Sequence, residues 1–498
     1  MNSNARNAGL NELEARRFDL LVIGGGIVGA GIAAAASRHG LAVALVDRGD
    51  FAGATSSASS KLVHGGLRYL RLGDVRLVRE SHAERRNLTR IVAPHLVHEI
   101  PFLLPLYESG PHRPAVVHTG IALYSLLARG KPEGLIDPER ATQLVPDLRT
   151  RGLRNCGSYV DCWTNDSRLT LANVRATADA GGVVSNYAEV VGLHRERGRV
   201  TGADVAADGR VLRVRARCVV NAAGPWIDAV RRLEDDGAGT SVRLSKGIHV
   251  LLEPGRDWSA ALIVPHEENR VSFAVPWEGM LLLGTTDTLY EDDPSAALVD
   301  DGDVDQVLAD AAIAVDPGLV GRDRIRATYC GLRVLPLGRG GTVDARRETV
   351  YSRGPGAMLT VAGGKLTTYR RIALDVLQAL RAELGLHRVD THPWPLPGAR
   401  GLESVRLPVE VPAALRGHLV HLYGSLAADV LEPAAARPEL LEPIAPSAPD
   451  VAAQAVYAAR FEWGTRAEDV LRRRTTIALR GCATPEVAQR VERLLTES

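Results

Sequence analysis

An α/β protein with an added antiparallel sheet and a helical C-terminal domain is the fold that the sequence predicts. A buried strand, FDLLVIGGG (18–26), runs into glycines and is followed by a helix rich in small residues (27–40). Alternating strands between roughly 243 and 290 are typical of an antiparallel sheet. Beyond a proline-rich break at 391–412, which we interpret as a linker, the chain is rich in Ala, Leu, Glu and Arg. That composition favours helices.

The overall composition excludes several classes of protein. The 498 residues suffice for two or three domains. The 60 basic residues are balanced by 59 acidic ones, and only 4% of the residues are aromatic. The composition therefore predicts neither a basic surface nor a set of stacking side chains for nucleic acid. The 5 cysteines contain no CxxC pair, which indicates reduced thiols in a cytosolic protein. We therefore expect no metal site and no nucleic-acid partner.

Neither a leader nor a membrane span is predicted. The polar opening, MNSNARNAGLNELEARR, lacks an apolar core, so we expect a mobile tail rather than a secretory signal. A run of about 18 apolar residues does not occur, which predicts no membrane-spanning helix. Contact with a membrane surface stays open.

Three glycines between the first strand and the first helix form the pattern G-x-G-x-x-G. Gly24 makes the tight turn, Gly26 lets the backbone approach a pyrophosphate, and Gly29 lets the helix pack closely on the strand. The helix N-terminus then faces the phosphate charge. Asp47 ends the second strand (41–47), where an acidic side chain accepts ribose hydroxyls and repels the extra phosphate of NADP. The pattern predicts a Rossmann-like dinucleotide site and leaves FAD and NAD open.

Two later loops indicate how far the cofactor extends. CVVNAAGPWID (218–228) ends a strand with small residues around Gly224, which suits either a ligand or a plain turn. TVAGGKLTTYR places Gly363 and Gly364 between a strand and a helix, with Lys365 at the helix N-terminus. A lysine there opposes the helix dipole, which is tolerable where an anion or an electron-rich ring lies. A cofactor that spans both ends of the domain favours FAD over NAD.

Motifs along most of the chain occur in the order seen in a known family. They are IGGGIVGAGIA (23–33), ATSSASSKLVHGGLRYL (54–70), APHL (93–96), DCWTNDSRL (161–169), VNAAGPW (220–226), RLSKGIHV (243–250), VPW (275–277), GTTDT (284–288), GLRVLPL (331–337), GGKLTTYR (363–370) and FEWGTRAEDVLRRRT (461–475). On these residues the chain resembles the FAD-dependent glycerol-3-phosphate dehydrogenases of the aerobic, quinone-linked type.

The resemblance implies the domain organisation of an amine-oxidase-like flavoprotein. It places a Rossmann-like FAD-binding domain beside an antiparallel-sheet substrate domain, with a helical cap after them. The expected boundaries are 18–98, 151–240 and 345–390 for the FAD-binding domain, 99–150 and 241–344 for the substrate domain, and 400–498 for the helical C-terminal domain.

The resemblance also implies a reaction. It is the oxidation of sn-glycerol 3-phosphate to dihydroxyacetone phosphate, in which the C2 hydride passes to flavin N5 and the electrons pass to a membrane quinone. The protein would then be peripheral, on the cytoplasmic face of the cell membrane, and a homodimer is one candidate assembly. An oxidase that uses oxygen and releases peroxide is an alternative that the sequence does not separate. A relative acting on an amino acid would need a clamp for a carboxylate instead of a phosphate. A flavin-binding protein that associates with tRNA or has a structural role, without oxidoreductase activity, is disfavoured because the net charge is near zero and no basic stripe occurs.

A basic clamp is needed for the dianionic phosphate of this substrate. Arginine suits it because the planar fork makes bidentate contacts with phosphate oxygens. The resemblance assigns Arg68, Arg333 and Arg347 to the clamp, with Arg346 as a competitor of Arg347, and Tyr69 adds a hydrogen bond.

A proton acceptor is needed for the C2 hydroxyl. His249 in KGIHV is the preferred base, because a histidine pKa near neutrality suits that role, and His64 is the alternative. Lys365 is expected to stabilise negative charge on the flavin ring. The remaining predicted cofactor contacts are Thr55, Ser56, Ser57, His64, Gly65 and Gly66 in the opening loop, and Leu366 and Thr367 after the second glycine pair.

Overall fold

A computed structural model describes residues 3–67, 70, 74–128, 134–266, 271–337 and 349–497. Its strands are β1 Arg17–Ile23, β2 Val43–Val46, β3 Leu62–Val63, β4 Val97–Tyr107, β5 Leu135–Ile136, β6 Leu153–Thr164, β7 Val183–Ser185, β8 Glu189–Glu196, β9 Arg199–Ala207, β10 Arg210–Asn221, β11 Val242–Leu252, β12 Ala261–Val264, β13 Ser272–Trp277, β14 Met280–Gly284, β15 Thr288–Tyr290, β16 Ile325–Pro336, β17 Val350–Arg353 and β18 Leu359–Ala362.

Its helices are α1 Ser3–Ala15, α2 Ile27–Arg38, α3 Val75–Asn87, α4 Pro114–Ala128, α5 Pro138–Leu144, α6 Asp166–Asp179, α7 Ile227–Glu234, α8 Asp301–Ala311, α9 Tyr369–Ala379, α10 Ala413–Tyr423, α11 Ala427–Leu431, α12 Ala452–Phe461, α13 Ala467–Asp469 and α14 Pro485–Thr496. Predicted phosphate contacts at Arg68, Tyr69 and Arg347, together with the competitor Arg346, lie outside the described residues, so their roles stay predictions.

The first sheet has a parallel centre in the order β18-β10-β1-β2-β7. Its central strands β1 and β2 are almost wholly apolar and buried, as strands covered on both faces must be. Because parallel strands end at the same edge, the loops that follow β1, β10 and β18 meet there. This brings Gly24, Gly224 and Gly363 to one edge of the sheet, as the dinucleotide prediction requires.

The second sheet runs β15-β11-β14-β13-β12-β4-β6-β3, with β16 on the other side of β11. The antiparallel strands predicted between 243 and 290 form its centre. Strand β6 falls within 151–240, which the sequence assigned to the FAD-binding domain, yet it pairs with β4 in the second sheet. An alternating pattern predicts a strand but does not say which strand it pairs with. The domain boundaries themselves stay a prediction.

The C-terminal domain is helical, as predicted. Helices α10 to α14 enclose a separate apolar core that includes Leu419, Tyr423, Val456, Val470 and Val491. The preceding proline-rich stretch carries little regular structure besides a short 3₁₀ turn, Leu402–Ser404.

The expectation of a mobile N-terminal tail is wrong. Residues Ser3–Ala15 form α1, and Leu10 and Leu13 are 1% and 0% exposed in the core under the first sheet. Arg6 also donates from Nε to Asp208, at 2.7 Å. Two leucines three residues apart form too short an apolar stripe to predict a helix, so burial here comes from the sheet rather than from local sequence.

Candidate functional site

A cavity of about 1610 Å³ is lined by residues from the carboxyl edge of the first sheet and from the second sheet. The predicted site residues that line it are Gly24, Gly26, Asp47, Thr55, Ser56, His64, Gly66, Gly224, His249, Arg333, Gly363, Gly364, Lys365, Leu366 and Thr367. Gly29, Ser57 and Gly65, also predicted, are described but lie outside this lining.

The glycine turn after β1 is shaped by close backbone contacts. Gly24 has a φ of 107°, and a Cβ there would lie 2.5 Å from the carbonyl oxygen of Ala222. A Cβ on Gly29 would lie 1.8 Å from the carbonyl oxygen of Gly24, so Gly29 packs α2 against β1. The turn therefore leaves room for a ligand beside Gly24 and Gly26, and Gly29 acts through packing.

Ser56 lies across the N-terminus of α2. The backbone N–H of Ile27 donates to Ser56 Oγ at 2.9 Å. A Cβ on Gly26 would lie 3.0 Å from the same hydroxyl oxygen. A helix N-terminus favours phosphate through its N–H groups and its dipole, and the nearby hydroxyl can donate to a phosphate oxygen. These residues fit the pyrophosphate of a dinucleotide.

Asp47 is fixed by its own loop. Its Oδ2 accepts from the Gly25 N–H at 2.6 Å, and its Oδ1 accepts from the Gly49 N–H at 2.8 Å. Burial raises the pKa of Asp47 to about 6, although these two donors act in the opposite direction. Each carboxylate oxygen has a further lone pair, so the side chain can still accept a ribose hydroxyl, as predicted.

A buried ion pair shapes the opening loop. Lys61 and Asp166 are 1% and 0% exposed, and Lys61 Nζ lies 2.6 Å from Asp166 Oδ1. Nζ also donates to the carbonyl oxygen of Ser57 at 3.0 Å, and Ser59 Oγ donates to Asp166 Oδ2 at 2.7 Å. Removing one partner of such a pair leaves an uncompensated buried charge. The pair therefore fixes the curvature of 57–61 and turns Ser57 away from the cavity lining.

The two glycines of the same loop have different surroundings. The N–H of Gly65 donates to Asp161 Oδ1 at 3.1 Å, and Arg85 pairs with that carboxylate. A Cβ on Gly65 would lie 2.3 Å from His82 Cε1 and 2.6 Å from the Tyr124 hydroxyl. Gly65 thus lets the loop approach a buried cluster, and its neighbour Gly66 is the one that lines the cavity.

The second glycine pair joins this loop to the first sheet. Gly363 and Gly364 have φ values of 79° and 105°, which favour glycine. Thr367, just beyond them, accepts from the His64 N–H at 3.1 Å and lies 3.3 Å from the His64 carbonyl oxygen. The predicted loops 55–66 and 363–367 are therefore in contact, and Lys365 lines the cavity beside them.

One face of the β11–β16 pair carries the two side chains predicted to act on substrate, Arg333 and His249. The residues directly opposed on that face are Ser245–Arg333, Gly247–Gly331 and His249–Tyr329. Because alternate residues of a strand share a face, an arginine and a histidine lie on the same side with two opposed glycines between them. The glycines make room for close neighbours: a Cβ on Gly247 would lie 2.3 Å from Arg333 Nη2, and a Cβ on Gly331 would lie 2.5 Å from the carbonyl oxygen of Ala58. The guanidinium of Arg333 therefore extends over Gly247, which suits a small ligand held between a cation and an imidazole.

Arg333 is held in place by three side chains. Its Nη2 donates to Thr285 Oγ1 at 2.8 Å, and its Nη1 donates to Ser245 Oγ at 3.3 Å. Asp287 Oδ1 lies 3.6 Å from Nη1 and accepts from the Ser245 hydroxyl. The guanidinium therefore reaches the cavity with a fixed orientation.

His249 is buried but oriented. Its Nε2 lies 2.9 Å from Ser60 Oγ, and its ring stacks on Tyr329 with centroids 4.9 Å apart. The pKa of His249 is held well below its usual value by burial first, and then by the charges of Arg333 and Lys61. The pKa of His249 is therefore lower than the near-neutral value expected, because Arg333 and Lys61 approach the ring from distant parts of the chain. The ring is neutral at physiological pH.

Gly247→Ala is expected to disturb Arg333 and leave the dinucleotide end intact. A Cβ on Gly247 would lie 2.3 Å from Arg333 Nη2 and 2.6 Å from its Cζ, so the guanidinium must move. We expect KM for a phosphorylated substrate to rise about tenfold, equivalent to one weakened charged hydrogen bond. Steady-state kinetics measure this. An unchanged KM with unchanged flavin content would contradict the orientation given to Arg333.

Buried histidines are expected to make the fold sensitive to acid. Burial lowers the pKa of His82 and of His95 to about 3, and that of His98 to about 4. Between those values and about 6.5, the unfolded chain binds protons that the folded chain excludes, so stability falls as pH falls. Each histidine contributes a slope of at most about 1.4 kcal/mol per pH unit.

Thermal unfolding between pH 7 and 4 measures this slope. His82→Met removes one titrating ring and is expected to flatten the pH dependence. His387→Gln, which changes an exposed histidine, is the matched control and should leave it unchanged. Equal slopes in all three proteins would rule out a role for the buried ring of His82.

Several site residues were missed at the sequence level. Ser60, Asp161 and Asp166 act by holding the loop or the histidine ring, and hydroxyl and carboxylate residues in a loop give no such signal. Gly247 could have been noticed, because a glycine inside a strand pattern often marks a close approach. No sequence pattern of this kind distinguishes Ser245.

Comparisons with known proteins agree with this geometry. A family model described as FAD dependent oxidoreductase matches residues 19–370, and one described as C-terminal domain of alpha-glycerophosphate oxidase matches residues 389–498. A glycerol-3-phosphate dehydrogenase of Mycobacterium leprae is 36% identical over 489 residues, covering 95% of this chain and 83% of its own. One from Synechocystis sp. is 32% identical over 503 residues, covering 94% and 90%.

A solved structure is similar over nearly the whole chain. It is the glycerol-3-phosphate dehydrogenase from Bacillus halodurans complexed with FAD, with a TM-score of 0.78, 27% identity and coverage of 99% of this chain and 96% of that one.

The fold and the cavity thus define an FAD-dependent oxidoreductase, and FAD, the predicted cofactor, is confirmed. More narrowly, the chain belongs to the FAD-dependent glycerol-3-phosphate dehydrogenase family, as the motifs predicted. In the described part of the chain, no helix combines the length and the apolar character needed to cross a bilayer.

Proposed function

We propose that this protein oxidises sn-glycerol 3-phosphate at C2 to dihydroxyacetone phosphate and delivers the electrons to a membrane quinone. The names of its relatives point to this substrate, and the site offers the groups that the substrate requires.

The observation that carries the proposal is the shared face of β11 and β16. Arg333 reaches the cavity at one end of this face and His249 lies at the other, with Gly247 and Gly331 between them. A molecule with a phosphate at one end and a secondary alcohol at the second carbon from it can lie between these two side chains, in the cavity that both line. The guanidinium fork binds the phosphate, and the imidazole receives the hydroxyl proton.

Nε2 is the atom of His249 that we assign as proton acceptor. Nδ1 is buried and has no hydrogen-bond partner within the described residues, whereas Nε2 lies next to Ser60, which lines the cavity. The ring is neutral before substrate binds, so it can accept a proton. A bound phosphate dianion counters the charge of Arg333 and raises the pKa of His249, which favours that transfer.

The cavity also fits the cofactor that completes the reaction. The close backbone approach at Gly24 and the Ser56 hydroxyl at the N-terminus of α2 support assigning Gly24, Gly26 and Ser56 to the pyrophosphate, and the position of Asp47 supports assigning it to the ribose. Bound there, FAD supplies the hydride acceptor, flavin N5. Lys365, at the opposite loop, adds a positive charge to the cavity wall.

A membrane quinone is the proposed acceptor because of helix α4. Its apolar residues Val116, Leu123 and Leu126 are 67%, 45% and 72% exposed. Val116 and Leu123 also line the cavity. A helix that presents apolar side chains beside a cavity suits contact with a membrane surface, from which a lipid-soluble acceptor can approach.

Oxygen is the alternative acceptor. The family model that matches the C-terminal domain is named after an alpha-glycerophosphate oxidase, and an oxidase passes its electrons to oxygen. The two are separated by measuring substrate loss with a quinone in lipid vesicles under nitrogen and without quinone in air. We expect fast turnover only with the quinone. Peroxide formed in step with substrate loss in air would overturn the quinone assignment.

Helix α4 is tested in the same vesicle assay. We expect Leu126→Glu to lower turnover and vesicle binding about tenfold, the loss of roughly one buried leucine. Leu298→Glu changes a side chain that is 76% exposed elsewhere and is the matched control. Equal losses in both variants would contradict a membrane contact through α4.

A further inference from the structure

The C-terminal domain contributes side chains to the cavity wall. Arg466, Glu468 and Arg473 line the cavity, although they belong to the domain with its own core beyond the proline-rich linker. The residues they join in that wall are Asp47, Arg48, Gly49 and Asp50 after β2, Tyr187 and Ala188 before β8, and Glu189 at the start of β8. This end of the cavity is the one that contains Asp47, the predicted ribose acceptor.

A buried ion cluster attaches the domain at this point. Asp50, three residues after Asp47, is 4% exposed and pairs with Arg473 and Arg474. Burial alone would raise the pKa of Asp50, but the two guanidinium charges outweigh it and hold the pKa below its usual value. The carboxylate is therefore charged, and its position depends on both arginines.

Neighbouring contacts reinforce the same junction. Asn186 Nδ2 donates to Asp50 Oδ1 at 2.9 Å and to the carbonyl oxygen of Trp463 at 2.8 Å. The Trp463 ring meets Phe51 edge-on, with centroids 5.8 Å apart. The loop after β2, which carries the ribose-binding carboxylate, is thus packed directly on the C-terminal domain.

Arg466 brings a positive charge to the end of the cavity that contains Asp47, which we call the adenosine end. Its guanidinium lies over the Tyr187 ring, 3.9 Å from the centroid, and the Tyr187 hydroxyl donates to Asp469 at 2.5 Å. Arg466 is exposed and forms no ion pair with the other described residues. A guanidinium held over a ring beside a dinucleotide pocket has its N–H donors available for ribose or diphosphate oxygens.

We propose that the C-terminal domain is part of the FAD site. Arg466 and Arg473 close the adenosine end of the cavity, and the Asp50 cluster couples docking of the domain to retention of the cofactor. The domain then helps to hold the adenosine diphosphate half of FAD. This contact is separate from the face of β11 and β16, where we propose that substrate is oxidised.

The test compares FAD with FMN, which lacks the adenosine half. Full-length apoprotein is titrated with each flavin, and binding is followed by quenching of flavin fluorescence. We expect Arg466→Ala to weaken FAD binding about tenfold, the loss of one charge-assisted contact, and to leave FMN binding unchanged. Arg460→Ala, which changes an exposed arginine of the same domain that is absent from the cavity lining, is the matched control and should bind both flavins like wild type.

Hydrogen exchange gives a second readout that does not depend on a single side chain. Adding FAD to the apoprotein should slow exchange in residues 463–476, and adding FMN should not. Equal affinities of Arg466→Ala and wild type for FAD, or equal weakening of FAD and FMN, would overturn the proposal. Neither measurement uses substrate, so a negative result leaves the proposed reaction untouched.

Discussion

Arg333→Ala is expected to lower kcat/KM for glycerol 3-phosphate about a hundredfold, chiefly by raising KM. The guanidinium is oriented by Thr285 and Ser245 and reaches the cavity, so its loss removes a charged, bidentate partner of the phosphate. The measurement is steady-state turnover of glycerol 3-phosphate with a saturating quinone. Flavin absorbance checks that the cofactor stays bound.

Two further variants make this result specific. Arg333→Lys keeps the charge but loses the planar fork, so we expect only partial rescue. Arg326→Ala removes an exposed arginine of the same strand, paired with Glu253, and should behave like wild type. If Arg333→Ala left KM unchanged, the phosphate would have to bind elsewhere.

His249→Gln is expected to lower kcat about a thousandfold, within the range that general-base catalysis contributes. Glutamine retains a polar group near Ser60 but cannot accept the proton. Rapid-mixing measurement of flavin reduction under nitrogen isolates this step from reoxidation.

Ser60→Ala separates positioning from proton transfer. The Ser60 hydroxyl lies 2.9 Å from Nε2 and fixes the ring, so its removal should slow reduction by about tenfold, the value of one hydrogen bond. If His249→Gln reduced flavin at the wild-type rate, the base would lie elsewhere, with His64 the next candidate because it lines the same cavity.

Local patterns predicted the dinucleotide end of this molecule well. The strand, glycine turn and helix around Gly24 and Gly29 are short-range features, and the close approach of Gly29 to the carbonyl oxygen of Gly24 is the local contact that the motif predicts. The same holds for the glycine pair at 363–364, whose φ values are positive. Such patterns can be recognised in the sequence because residues close together in the chain form the structure that they predict.

Long-range pairing could not be predicted in the same way. Residue Ser60 meets His249 across 189 positions, and Asp50 meets Arg474 across 424. These contacts depend on how the two sheets and the C-terminal domain pack, which no local pattern encodes. The low pKa of His249 has the same origin, since Arg333 and Lys61 approach it from distant segments.

Anaerobic addition of glycerol 3-phosphate to the purified FAD-loaded protein tests the central claim most directly. We predict that the visible absorbance of the oxidised flavin bleaches, with one dihydroxyacetone phosphate formed for each flavin reduced. Glycerol, which lacks the phosphate, should cause no bleaching at the same concentration. A flavin that stays oxidised with glycerol 3-phosphate, or bleaches equally with glycerol, would contradict the proposed reaction.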